Sequence, residues 1–146
     1  MLQLPTTSVL GNKWTTESDY RTIEVNNSGW PRHVNPNQDE WVYVVDGEVE
    51  LEIGKKRFRP GARESMFIPR NVEHVWTAVS APARIINTYQ PAGKIEEFFQ
   101  VLAKFKDLPT REQAINKTCT DEQKNAMKRL FEAHGMVLTG PPLVVE

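Results

Sequence analysis

The stretch HVNPNQDEWVYVVDGEVELEI, His33 to Ile53, sets two kinds of sequence side by side. Residues 33 to 40 hold a histidine, two asparagines and two acids, and a run with the alternation of β-strands follows at once. Asp46-Gly47 is the strongest hairpin signal in the chain, because both central positions of a type I′ turn need positive φ, which Gly and Asp tolerate. A two-residue loop there sets Val45 against Glu48, Val44 against Val49, Val42 against Leu51 and Glu40 against Ile53, directly opposed residues sharing a face. Glu40 then falls on the apolar face. Glu48, Glu50 and Glu52 go with Trp41 and Tyr43 to the other side, where water is expected.

A carboxylate that faces a core is strongly unfavourable unless a cation, a metal or hydrogen-bond donors compensate it. Candidates for that role lie nearby in the pattern. If residues 31 to 35 are extended, the period of two puts His33 and Asn35 on one face, and the later run HVWTAV places His74 with Trp76 and Ala78. Two histidines, an asparagine and a glutamate converging inside a barrel suit a divalent metal, because imidazole nitrogen and carboxylate oxygen bind several first-row ions and an amide oxygen adds a weaker contact. Asn35 reads equally well as a ligand or as a turn former ahead of Pro36. The inward positions Val42, Val44, Leu51, Met66, Ile68 and Trp76 predict an apolar pocket beside these groups, with Trp76, Val42 and Met66 as candidate substrate contacts and Trp76 equally a plain core residue.

The rest of the chain falls into two textures. Up to about Lys94, short runs rich in Val, Ile, Tyr, Trp and Thr alternate with Gly, Pro, Asn and Asp, which predicts many short antiparallel strands, among them YRTIEV, EWVYVV, EVELEI, SMFIP, HVWTAV and ARIINTYQ. From Ile95 the period changes: Ile95, Phe98, Phe99 and Leu102 recur at helical spacing. Thr120 and Gln123 predict a capping box, Met127, Leu130 and Phe131 the apolar face of a second helix, and Gly135 its C-terminal stop, with His134 as a capping partner. The tail GPPLVVE is held extended by its prolines. An all-β barrel or sandwich with a helical C-terminal cover follows, packed as a single domain over residues 1–146.

Here a resemblance enters. His33-x-Asn35, four residues, Glu40, six residues and Gly47 resemble the first motif of the cupin superfamily, HxH, three or four residues, E, six residues, G. Pro69-Arg70-Asn71-Val72-Glu73-His74 is similar to its second motif, PxG, two residues, H. The resemblance covers about residues 8–92, and PAGKIEEFFQ with the helices and the closing GPPL resembles the C-terminal extension, about 93–146, of small bacterial single-domain cupins described as quercetin-dioxygenase-like. It implies a double-stranded β-helix, that is, a jelly-roll barrel, with a two-helix extension. It also implies one divalent transition metal (Fe, Mn, Ni, Cu or Zn) on His33, Asn35, Glu40 and His74, and a homodimer. Five positions depart from the pattern: Asn35 stands for the second histidine, Gly29 lies four rather than six residues before His33, Arg63 replaces a glycine six residues ahead of Pro69, Asn71 replaces the turn glycine and tolerates positive φ, and Ala78 replaces the asparagine four residues after His74.

The expected function is a metal-dependent enzyme acting on a small aromatic or other organic molecule in the barrel mouth. Dioxygenase-like oxidoreductase chemistry is implied by the resemblance, and Glu40 could also take a substrate proton. Two alternatives share the pocket: a binding protein with a weakened metal site, and an isomerase or decarboxylase. No serine or cysteine stands at a suggestive distance from a base, which argues against covalent catalysis. Eighteen basic against nineteen acidic residues give a net charge of −1, so neither nucleic acid nor a membrane surface is an expected partner. Cys119 is alone, so no internal disulfide forms. The opening MLQLPTTSVLGNKW lacks the segments of a signal peptide, which makes the cytoplasm the expected compartment.

Overall fold

A computed structural model describes residues 6–8, 19–25, 31–79, 83–104, 113 and 116–145. Among these described residues, ten strands and two helices follow one another: β1 (Thr6–Ser8), β2 (Asp19–Val25), β3 (Pro31–Val34), β4 (Asp39–Asp46), β5 (Val49–Ile53), β6 (Lys56–Phe58), β7 (Ser65–Ile68), β8 (His74–Ala78), β9 (Ala83–Gln90), α1 (Ile95–Lys104), α2 (Asp121–Ala133) and β10 (Val137–Pro142). They build two five-stranded sheets, in the orders β1-β2-β9-β4-β7 and β10-β3-β8-β5-β6. Every pairing is antiparallel. The predicted strands are present. The start of the extended tail, Gly140 to Pro142, ends β10, which pairs with β3 and places Pro141 and Pro142 on a sheet edge, where a missing N–H breaks no ladder.

One expectation fails in an instructive way. β4 and β5 do not pair as a hairpin: β4 lies between β9 and β7, and β5 between β8 and β6 in the other sheet. Asp46-Gly47 carries the chain from one sheet to the other. Only Gly47, at φ 83°, is in the left-handed region; Asp46 is not, so no type I′ turn forms. The faces nevertheless come out largely as predicted, since alternation fixes which side is buried whatever the partner strand. Along β4, Glu40, Val42 and Val44 are buried and Trp41 and Tyr43 exposed. Glu50 is the exception among the three acids. It is buried on the outer face of β5, where Arg57 Nη1 and Arg59 Nη2 reach its oxygens at 3.0 and 2.8 Å.

The two sheets enclose an apolar core around Trp76, with Val42, Val44, Leu51, Ile68 and Ile85 all fully buried. The helices close one end. In α1, Ile95, Phe98, Phe99 and Leu102 face this core, and in α2 Met127, Leu130 and Phe131 do so. Burying one such aromatic or aliphatic side chain stabilises the fold by roughly 1.5–3 kcal/mol. The capping box at Thr120 and Gln123 is present in both directions, Gly135 takes φ 79° just after the C-cap, and the His134 ring lies 2.7 Å from the Leu130 carbonyl. Gln38, in the loop between β3 and β4, is buried. Its amide donates to the carbonyls of Pro91 and Ala92, anchoring the turn into α1 against the β3–β4 loop.

Asn71 takes φ 65° and forms the expected turn; its N–H donates to Asn35 O at 3.0 Å, tying the two motif segments together. Arg63 also adopts a left-handed φ, 71°, in a sharp turn that the Glu64 N–H closes on Gly61 O, while its own N–H donates to Val44 O on β4. For a residue with a Cβ that conformation is unfavourable by about 1–2 kcal/mol, whereas glycine adopts it freely. Arg63→Gly should therefore stabilise the protein by about 1 kcal/mol in urea denaturation; a loss of stability would show that the Arg63 side chain contributes contacts that outweigh the strain.

Candidate metal centre

The site forms where the two sheets face each other. His33 on β3 and His74 on β8 are directly opposed across an antiparallel pair, their ring centroids 4.3 Å apart at 62°. Glu40 comes from β4 in the opposite sheet, beside Tyr89 on β9, and Val42 next to it pairs with Asn87. All three ligand candidates are buried, and one donor atom from each lies within 4.8 Å of the others. Asn35 is buried in the loop between β3 and β4.

Hydrogen bonding sets the tautomers. His33 Nδ1 lies 2.8 Å from Pro31 O and His74 Nδ1 3.0 Å from Val72 O. A carbonyl only accepts, so each Nδ1 carries the hydrogen and each Nε2 is left for another partner. This is how metal-binding histidines are held, with the second nitrogen anchored by the backbone. His74 Nε2 is 2.8 Å from Glu40 Oε2, yet without the alignment of a directed hydrogen bond. Two acceptors that close need a proton or a cation between them. The donor set therefore fits a divalent metal held by His33, Glu40 and His74, and two imidazoles with one carboxylate are an arrangement known from non-haem iron oxygenases.

Two amides complete the surroundings of Glu40. Asn35 Nδ2 donates to Oε2 at 3.0 Å, and Asn87 Nδ2 donates to Oε1 at 2.7 Å and to the Tyr89 hydroxyl at 3.1 Å. Asn87 and Tyr89 were not among the sequence candidates. Their signal was present, for the alternation of ARIINTYQ places Asn87 on the same face as Ala83, Ile85 and Tyr89, where an amide needs a reason. Trp76 does reach the site: with His33, Glu40, Tyr89, Phe98 and Phe131 it lines a hollow with room for about one water-sized group. Val42 lies fully buried in the core and Met66 packs partly buried against it; neither lines that hollow. The Phe131 ring stands edge-on to His33 at 5.6 Å, so α2 packs directly against the centre.

Comparison with known proteins bears on the fold that carries this centre. A family model described as a cupin domain matches residues 20–89. The chain has the cupin fold. Among solved structures, KdgF from Halomonas sp. superposes with a TM-score of 0.57 at 16% identity, covering 62% of this chain and 82% of that one. An RmlC-like cupin from Shewanella frigidimarina gives 0.56 at 22% identity, over 62% and 78%. Pac13 of Streptomyces, described as a nucleoside dehydratase, gives 0.51 at 17%, over 58% and 68%. At these identities the likeness shows the fold. No curated protein matches the sequence.

The charges of the centre are unevenly placed. Burial, then the neighbouring His74, push the His33 imidazole down from 6.5 to about 4. Burial also works against charging His74, but the Glu40 carboxylate prevails and holds its pKa above 6.5. Burial alone would raise the Glu40 carboxyl; His74 outweighs it, and the pKa lies below 4.5. In the metal-free protein His74 and Glu40 therefore form an ion pair beside a neutral His33. As the pH falls from 6.5 toward 4, the unfolded chain protonates at position 33 and the folded chain does not, so stability falls. The His74 contribution has the opposite sense, complete below 6.5 and lost as the pH rises through the raised folded value. Urea denaturation in chelator from about pH 5 to about pH 8 should show a stability maximum near 6.5. His33→Asn should flatten the acid side and His74→Asn the alkaline side; a profile indifferent to both changes would contradict these charge states.

Proposed function

We propose that the protein is a metal-dependent oxidoreductase of the dioxygenase type, acting on a small apolar or aromatic molecule at the barrel's helix-covered end. The observation that carries this reading is the pair of backbone-anchored imidazoles facing one buried carboxylate, beside a hollow that His33 and Glu40 line together with aromatic and aliphatic side chains, Trp76, Phe98, Phe131 and Ile95 among them. Three donors leave coordination positions open, and a metal bound there would activate dioxygen beside an organic substrate, with dioxygen itself the oxidant. This chain's own residues supply the rest. His33, His74 and Glu40 hold the metal. Trp76, Phe98 and Phe131 exclude water and offer flat apolar faces to the substrate. Because the hollow takes only about one water-sized group as it stands, an organic substrate enters with the Phe98–Phe131 cover moved aside.

A second reading rests on the 2.8 Å approach of His74 to Glu40. A buried carboxylate–imidazole pair can take a proton from one substrate atom and return it to another, which suits a lyase or isomerase that needs no metal. The neighbour described as a nucleoside dehydratase is compatible with that class. The homodimer belongs to the proposal too. Trp41 and Phe67 pack side by side on the outer face of the β4–β7 pair at 49% and 47% exposure, and they are the surface a second copy would cover.

Elemental analysis of protein prepared without chelator decides between the two chemistries. About one transition metal per chain is expected, with His74→Ala abolishing it, and the loaded protein should consume oxygen with aromatic substrates. A metal-free wild type that stays metal-free when titrated with iron(II) would overturn the oxidoreductase reading and leave the proton-transfer one.

A further inference from the structure

The family pattern places a histidine where this chain has Asn35, and the geometry around Asn35 assigns it a different task from donating to a metal. Its Nδ2, not its Oδ1, faces the site: the amide gives an N–H to Glu40 Oε2, and Oδ1 has no hydrogen-bond partner among the described residues. The orientation follows from chemistry, because an ionised carboxylate only accepts, and turning the amide over would set two oxygens against each other. Asn87 repeats the arrangement from β9, the strand beside β4 in the same sheet. It donates to Oε1, and its own Oδ1 is likewise unpartnered. Leaving a buried carbonyl oxygen without a donor is unfavourable, and both asparagines accept that in order to present N–H groups to the same carboxylate.

A carboxylate offers about four lone-pair positions. One amide on each oxygen takes two of them, fixes the plane of the group, and leaves the remaining positions open toward His33 and His74. We propose that Asn35 and Asn87 are positioning residues, a clamp that presents Glu40 as the one oxygen donor of a three-donor centre in which Asn35 is not a ligand. The inference rests on the metal reading above and refines it. The departure from the family pattern at residue 35 then alters the centre by removing a donor and stiffening another.

Cobalt(II) binding to the chelator-stripped full-length protein tests the clamp, since the visible absorption of cobalt reports its ligand set. Asn35→Ala and Asn87→Ala should each still bind about one cobalt per chain with the band positions of wild type, and each should weaken affinity by about 10–100-fold, the usual effect of losing a partner behind a ligand. Asn35→His should shift the bands, as a fourth donor enters. Bands that move in Asn35→Ala but not in Asn87→Ala would make Asn35 a ligand and overturn the proposal, as would unchanged affinity in both. A metal-free arm separates the clamp from the metal reading. In urea denaturation with chelator, each asparagine truncation combined with Glu40→Gln should be non-additive, because both act through one carboxylate. Additivity overturns the clamp outright. Non-additivity in a protein that takes up no cobalt shows that the clamp exists and overturns both its role in a metal centre and the metal reading itself.

Discussion

Everything at the centre of this protein depends on one ionised carboxylate placed inside a barrel. Glu40, 2% exposed, sits on a strand whose other inward residues are valines, and its charge is unfavourable there unless several partners share it. The structure supplies them from four directions: His74 from the opposite sheet, His33 behind it, Asn35 from the loop ahead of β4 and Asn87 from the neighbouring strand. A carboxylate held by this many groups has little freedom to reorient. Its surroundings have only two ways to satisfy the close approach of His74 Nε2, a proton or a cation, and the choice between them is the chemistry of the site.

The fold exists in a form that makes this choice matter. Because β3 and β8 belong to one sheet and β4 and β9 to the other, the histidines and the carboxylate face each other across the barrel interior. The centre is therefore assembled only when the two sheets close on each other. The helical cover adds the last constraint, since Phe98 and Phe131, 5.0 Å apart, line the hollow beside His33. Access to the centre is then a property of how α1 and α2 pack, and the anchoring of the turn into α1 by Gln38 links that packing to the loop that carries Asn35.

Much of this was legible in the sequence, for a physical reason that differs from place to place. Alternation along EWVYVV placed Glu40 inward, and the helical stripe from Ile95 and the Thr120–Gln123 capping box placed both helices, because each is a local rule independent of tertiary partners. The spacing of His33, Glu40 and His74 pointed to one site. What failed was pairing: Asp46-Gly47 is a strong hairpin signal, but a turn sequence cannot tell a hairpin from a crossing between sheets, and Asp46 stays out of the conformation that the hairpin needs. Glu50 was placed in water because its face was read correctly as the outer one, while the arginines that cover it lie on the next strand and loop. Asn87 was passed over because an isolated amide in a late strand has no motif to announce it.

The most direct measurement is a crystal structure of the metal-loaded protein with anomalous diffraction collected at the metal edge. The account predicts a peak bonded to Nε2 of His33, Nε2 of His74 and one oxygen of Glu40, with the Asn35 and Asn87 amides still on that carboxylate. A peak bonded to Asn35 Oδ1, or none at this site in a protein soaked to saturation, would contradict it.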